Sequence, residues 1–398
     1  MDIEYISSFG DDATGARNDD KISTIAFSPQ GDFLAVGINS GCAVIFSLLD
    51  NCVTFLCQIQ AHKSEFDFLK STFSSQVVKS IKWIPSYMKN PMFLTSNSNK
   101  IKLWKLNYTK EVTWDNCKGR SVETFKPPVP KKTINRYFPE CLNTFNNLFA
   151  DTLVNVQCLE DQRSFIAVDE TGVTLWDYET CNNVSLIRTN ANNNQNTASA
   201  THNSLPFNFL IGDSNGIVKL YDLRQQPEGL TPSLSFNTTN HRTKTDLYNG
   251  TQSISYLTIG NDARTFASRT FGDVQLWDFR NINKPLAVTD VQWFPEHMDW
   301  VANEGFTRDL FNVSITKDNI VLTGMYSADF ISWDPTKNIK YRHRALSSRS
   351  PVHPPEPGKD FYKRVTWIES HPTKNIFALA ATSALYLFKG VPHKFEKQ

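Results

Sequence analysis

The chain has no apolar run long enough to span a bilayer. Its longest purely apolar stretches are a few residues, against the roughly 20 a transmembrane helix needs. It lacks an excess of either charge: 41 Lys+Arg against 40 Asp+Glu give a formal net charge of +1. That balance argues against a chain built mainly to coat nucleic acid or an anionic membrane, so neither is expected as a partner. The opening MDIEYISSFGDD is acidic and has no apolar centre of the kind a secretory leader carries, so the expectation is a cytoplasmic protein with access to the nucleus. Cysteines are few. Cys42, Cys52, Cys57, Cys117, Cys141, Cys158 and Cys181 are odd in number, form no CxxC pair and have no His at zinc spacing. They read as reduced thiols, with no metal site. HExxH and P-loop signatures are missing, and the eight His residues sit apart. The expectation is a protein that is not an enzyme and uses no cofactor.

What the chain does have is a repeat. Two or three β-forming residues, an aromatic and often an Asp recur as AVIFSL (43–48), IKLWKL (101–106), VTLWDY (173–178) and VKLYDL (218–223). The series continues as VQLWDF (274–279), FISWDP (330–335) and LYLFKG (385–390). The anchor aromatics Phe46, Trp104, Trp176, Tyr221, Trp277, Trp333 and Phe388 stand 58, 72, 45, 56, 56 and 55 residues apart. Upstream of the anchors lie alternating strands and Gly, Pro, Asn or Asp turns, as in ISTIAFS-PQGD-FLAVGI-NSG (22–41). Period-2 alternation in units of this length, ending in Trp-Asp, predicts an all-β fold: one seven-bladed WD-repeat β-propeller over 1–398. YISSF (5–9) is left over and is expected to complete the last blade beside LYLF, removing an exposed edge. The anchors read as core, and Asp177, Asp222, Asp278 and Asp334 as turn-holders.

The spacing in excess of a bare blade must sit in insertions. After the second anchor, LNYTKEVTW (106–114) and SVETFK (121–126) read as the strands of a projecting hairpin arm, 106–126, joined by DNCKGR. Such a ribbon is marginal alone and implies a partner surface. EFDFLKS (65–71) reads as a short helix or turn, with Phe66, Phe68 and Leu69 plugging a groove between blades and Glu65, Asp67 and Lys70 in water. Segments 190–197, 226–250 and 345–360 read as flexible loops, from their Asn- and Pro-rich composition.

Several of these segments together resemble the regulatory B subunit of protein phosphatase 2A, the 55-kDa WD-repeat class. AHKSEFDFLKS (61–71) is similar to that family's H-x-x-E-F-D-Y-L-K-S segment, followed by SIKWIP (80–85) and FLTSNSNKIKLWKL (93–106). DSNGIVKLYDLR (213–224), RTFGDVQLWDFRNINKP (269–285), VLTGMYSADFISWD (321–334) and SHPTKNIFALAATSALYLF (370–388) extend the resemblance over nearly the whole chain. The resemblance implies a non-catalytic subunit that selects substrates. It would dock on the helical-repeat scaffold through Glu65, Phe66, Asp67, Phe68, Leu69, Lys70, Tyr108, Trp114 and Phe125. It would hold phosphoprotein substrates for the catalytic subunit through Asp169 and Glu170, with Tyr326 and Phe330 as an apolar anchor. The chain departs from the family where an acidic stretch should follow the hallmark: residues 72–79 read TFSSQVVK. The alternative is a substrate receptor of a cullin ubiquitin ligase, for which YDLR and WDFR, with Arg224 and Arg280, would contact the adaptor.

Overall fold

The computed structural model describes residues 2–10, 20–49, 52–67, 72–85, 90–114, 130–146, 152–188, 195–225, 230–241, 251–292, 298–345 and 364–391. They form seven four-stranded antiparallel sheets and one two-stranded sheet. The innermost strand of each blade touches those of both neighbours, from blade 1 round to blade 7 and back. The result is a closed propeller. Blade 1 is built from Ile22–Phe27, Phe33–Ile38, Cys42–Leu49 and Cys52–Gln60, in chain order from the axis outward. Blades 2 to 6 repeat that plan. Blade 7 takes three strands from Val365–Val391 and its outermost strand, Asp2–Phe9, from the other end of the chain. Tyr5 sits opposite Phe388 and Phe9 opposite Leu385.

All seven anchors are buried, and Trp277 and Trp333 are almost fully so. They pack between blades because the neighbouring sheet supplies an aromatic partner. Phe145 of blade 2 meets Trp176 of blade 3 edge-on at 5.4 Å, and Phe236 of blade 4 meets Trp277 of blade 5 at 5.5 Å. Edge-to-face pairs of this kind contribute about 0.5–1.5 kcal/mol beyond the area they bury. The Asp after the anchor holds the next turn in four blades. Asp177 accepts from the Glu179 and Thr180 amides at 2.9 and 2.8 Å, and Asp334 accepts from the Thr336 amide at 3.0 Å. Asp222 and Asp278 take the same role with Arg224 and Arg280.

Three sequence expectations are corrected. The partner of strand Lys100–Trp114 is Pro130–Asn146, not 121–126: Leu106 pairs with Pro139, Tyr108 with Tyr137 and Trp114 with Pro130. The arm is therefore an outward extension of the third and fourth strands of blade 2. Phe125, and the rest of 115–129, lie outside the described residues. Within 226–250, Leu234–Asn237 is the outermost strand of blade 4 and carries the buried Phe236. Asn196, expected in a flexible loop, is buried at the start of the inner strand of blade 4. Residues 190–194, and the Pro-rich part of 345–360, lie outside the described residues.

Candidate functional site

Strand order divides the propeller into two faces. Each blade leaves the axis through a first turn, a second turn and a third connection, so the second turns and the links between blades share one face. First turns and third connections share the other. The arm is a third connection. The link 61–79 and the turn Asp169–Gly172 belong to the opposite, interblade face. The expectation that the arm and EFDFLKS form one docking surface is corrected: they leave from opposite faces.

On the interblade face, Phe66–Asp67 and Thr72–Phe73 pair as a two-stranded hairpin rather than a helix. The Ser74 amide donates to the Glu65 carbonyl at 2.7 Å, and the Glu65 amide to the Ser74 hydroxyl at 3.0 Å. The Ser74 hydroxyl serves this closure, and Asn97 donates to the Ser75 backbone carbonyl at 3.0 Å and seats the hairpin on blade 2. Glu65 forms an ion pair with Lys100, which holds its carboxyl below the usual range. Phe66 is exposed, not plugged into a groove. Its ring meets Phe73 edge-on at 5.1 Å, and Phe73 is 72% exposed. Reading the segment by the carboxylates it lacks passes over Phe73; its placement across a turn from Phe66 is the available signal. The placement of Phe68, Leu69 and Lys70, and the Asp67 side chain, lie outside the described residues.

Beneath the hairpin, His62 is buried and its Nε2 lies 3.0 Å from the Thr95 hydroxyl, to which Trp104 also donates, at 3.0 Å. Burial, with Lys102 and Lys100 nearby, pushes the imidazole down to about 3. Gly41 has φ +84°, and a Cβ there would lie 2.1 Å from the His62 carbonyl. The turn that locks this link therefore requires glycine.

Asp169 and Glu170 are adjacent in sequence but differ in environment. Asp169 is 5% exposed and accepts from the Thr171 amide at 2.9 Å, so its carboxylate holds the turn. Glu170 is half-buried and accepts from the Thr152 hydroxyl. Tyr326 and Phe330 do not offer the apolar anchor expected of them, being 1% and 0% exposed. Phe306 and Phe311, from the segment entering blade 6, cover Tyr326 at ring distances of 6.0 and 5.0 Å, and Phe330 packs on Phe377 and Phe388 of blade 7. On the arm, the Tyr108 and Tyr137 rings meet at a tilt, 5.7 Å apart, and Tyr137 reaches Phe33 of blade 1 at 6.0 Å. The arm base is thereby joined to the core. The Trp114 side chain lies outside the described residues.

Titratable groups from three separate blades meet at the axis, where Lys82 of blade 2, Tyr256 of blade 5 and Glu369 of blade 7 influence one another. Desolvation raises the Glu369 carboxyl to about 7, against the pull of Lys82. Among the described residues no group of three or more His, Cys, Asp or Glu could hold a metal ion, and no helix is long and apolar enough to cross a membrane.

The described residues thus form a closed propeller with an exposed Phe66–Phe73 pair on one face and a long two-stranded arm on the other. No family model matches the chain. It is 28% identical over 378 residues to a protein phosphatase PP2A regulatory B subunit of Candida tropicalis, covering 85% of this chain and 72% of that one. It is 25% identical to the PP2A 55 kDa regulatory subunit of Drosophila melanogaster over 428 residues, 95% of this chain and 84% of the relative. It is 24% identical to the beta isoform of the serine/threonine-protein phosphatase 2A 55 kDa regulatory B subunit of Carassius auratus over 432 residues, 96% and 97% of the two chains. The chain resembles the 55 kDa regulatory B subunits of protein phosphatase 2A, as a divergent relative of them.

Proposed function

We propose that this chain is a non-catalytic regulatory subunit of a protein phosphatase 2A holoenzyme that binds the scaffold subunit from its arm face. In this reading the interblade face is turned to phosphoprotein substrates and brings them to the catalytic subunit. Regulation is by proximity: a tethered phosphosite reaches an effective concentration near the metal centre that it lacks when free. The observation that carries the reading is likeness to named regulatory subunits over 85–96% of the chain.

The arm strands, with Tyr108 and Trp114, belong to the scaffold side. Glu65 and Phe66 move to the substrate side, joined there by Phe73. Glu170 remains a candidate contact for a basic substrate residue, whereas Asp169 is engaged in its turn. An exposed Phe73, in the 72–79 stretch where the family it resembles carries acid, favours less basic substrates.

The cullin-receptor reading has less support. The Arg224 and Arg280 guanidinium groups each fork onto the Asp two residues before them, Nε to Oδ1 at 2.9 Å and Nη2 to Oδ2 at 2.6 Å in both. Affinity purification of the full chain followed by mass spectrometry separates the two. Recovery of a scaffold and a phosphatase catalytic subunit is expected, and recovery of an adaptor and a cullin instead would overturn the proposal.

A further inference from the structure

A cavity of about 320 Å³ opens where blades 6, 7 and 1 meet, lined by Lys21, Asn39, Asp309, Leu310, Arg364 and Thr382 among others. Asp309, Arg364 and Lys21 belong to the segments entering blades 6, 7 and 1, and Asn39 and Thr382 to second turns, so the cavity lies on the interblade face. Its charged lining is two cations and one carboxylate, a surplus of one positive charge. The carboxylate is engaged: Asp309 pairs with Arg364 and accepts from the Tyr326 hydroxyl at 2.8 Å. Lys21 is the second cation facing the same space. Burial and the field of Arg364 both lower its pKa, with Asp309 only partly opposing. Two like charges held beside one cavity are relieved by a bound anion, and an Arg–Lys pair suits oxyanions, the guanidinium supplying a planar fork and the ammonium a point charge.

We propose that this cavity is an anion subsite of the substrate face, taking the phosphoryl or carboxylate group of one acidic side chain of a docked protein segment. The volume is at the low end of the roughly 300–1,000 Å³ of small-molecule sites, and it fits a side chain better than a cofactor. Leu310 is 62% exposed at the rim and gives an apolar contact for the flanking residue. The assignment to substrate rests on the proposed orientation of this face. The chemistry of the cavity does not.

The test uses the full chain alone, with lysines reductively dimethylated with ¹³C so that they keep their charge. Inorganic phosphate and, separately, acetate are titrated in at constant ionic strength, and Lys21→Gln identifies the Lys21 resonance by deleting it. The expected result is a saturable shift of Lys21 in the millimolar range, with the other lysines shifting little and without saturation. Saturation by phosphate alone assigns the site to phosphorylated residues, and by acetate alone to Asp or Glu. Arg364→Gln should weaken the midpoint at least fivefold. Should that variant unfold, Arg364→Lys, which keeps the charge but loses the fork, should weaken it less than fivefold while preserving saturation. A Lys21 shift that is absent, or no more saturable than that of the other lysines, overturns the proposal. Co-purification of Lys21→Gln with scaffold and catalytic subunits is measured in parallel. A silent cavity with intact co-purification sinks the subsite alone, and failed co-purification of wild type with a saturable Lys21 sinks only the regulatory reading.

Discussion

At the scale of single residues, His62 ties fold to pH. Folded, its imidazole stays neutral down to about pH 3 because burial disfavours the charged form. Unfolded, it takes up a proton below its ordinary value near 6.5. Between those limits the unfolded chain binds more protons, so stability is fully present above pH 6.5 and is lost as pH falls toward 3. Glu369, raised to about 7, works in the opposite direction between 4.5 and 7, so the His62 contribution is read by difference. His62→Gln should flatten the fall in urea midpoint between pH 7 and pH 5 relative to wild type. An unchanged slope would mean another group dominates. Thr95 is the shared partner, and Thr95→Val leaves both His62 and the Trp104 indole unpaired. A loss of about 1–3 kcal/mol for each orphaned group is expected, measured by equilibrium urea unfolding.

Sequence is least informative at this scale. The carboxylates at 169 and 170 are indistinguishable as letters, yet one side chain closes an Asx turn and the other lies half-exposed. Tyr326 sits in a turn, where exposure is the ordinary expectation, and is buried because an insertion distant in sequence, 298–312, folds over it. Neither fact has a local signature.

At the scale of elements, strands facing the core are legible because one face must be apolar, and anchor positions follow. The outer strand of blade 2 is not. Pro130–Asn146 contains Pro139 and several Asn, residues that argue against a central strand. On an outermost strand one row of N–H groups needs no partner, so proline is tolerated there. Its pairing with Lys100–Trp114 dictates how the arm should be tested. Replacing 109–136 with a short Gly-Ser turn removes the projecting ribbon but keeps Tyr108 and Tyr137 on the core. The melting temperature should change little while scaffold co-purification falls at least tenfold. Retained co-purification would place the scaffold contact elsewhere.

At the scale of the whole molecule, the ring closes through Asp2–Phe9. Deleting residues 2–9 strips one edge of blade 7, including the Tyr5–Phe388 contact at 5.9 Å. A cost of a few kcal/mol is expected, with each kcal/mol lowering the melting temperature by roughly 2–4 °C in domains of 150–250 residues. Differential scanning calorimetry on the deleted chain checks this. A melting temperature equal to that of wild type would mean this strand does not carry the closure.

The same strand sets a timetable. Asp2 pairs with Val391 and Phe9 with Leu385, so of the ring's strands the first to leave the ribosome bonds to the last. At about 5–20 residues per second, the first strand waits on the order of tens of seconds with its edge unpaired. Through that interval the chain is an open arc with sticky ends, and its exposure to misassembly lasts as long as the translation of the ring. A message broken before the codon for Leu385 therefore yields a product that contains at most six complete blades and cannot form its ring, which marks it for quality control rather than for competition with intact protein.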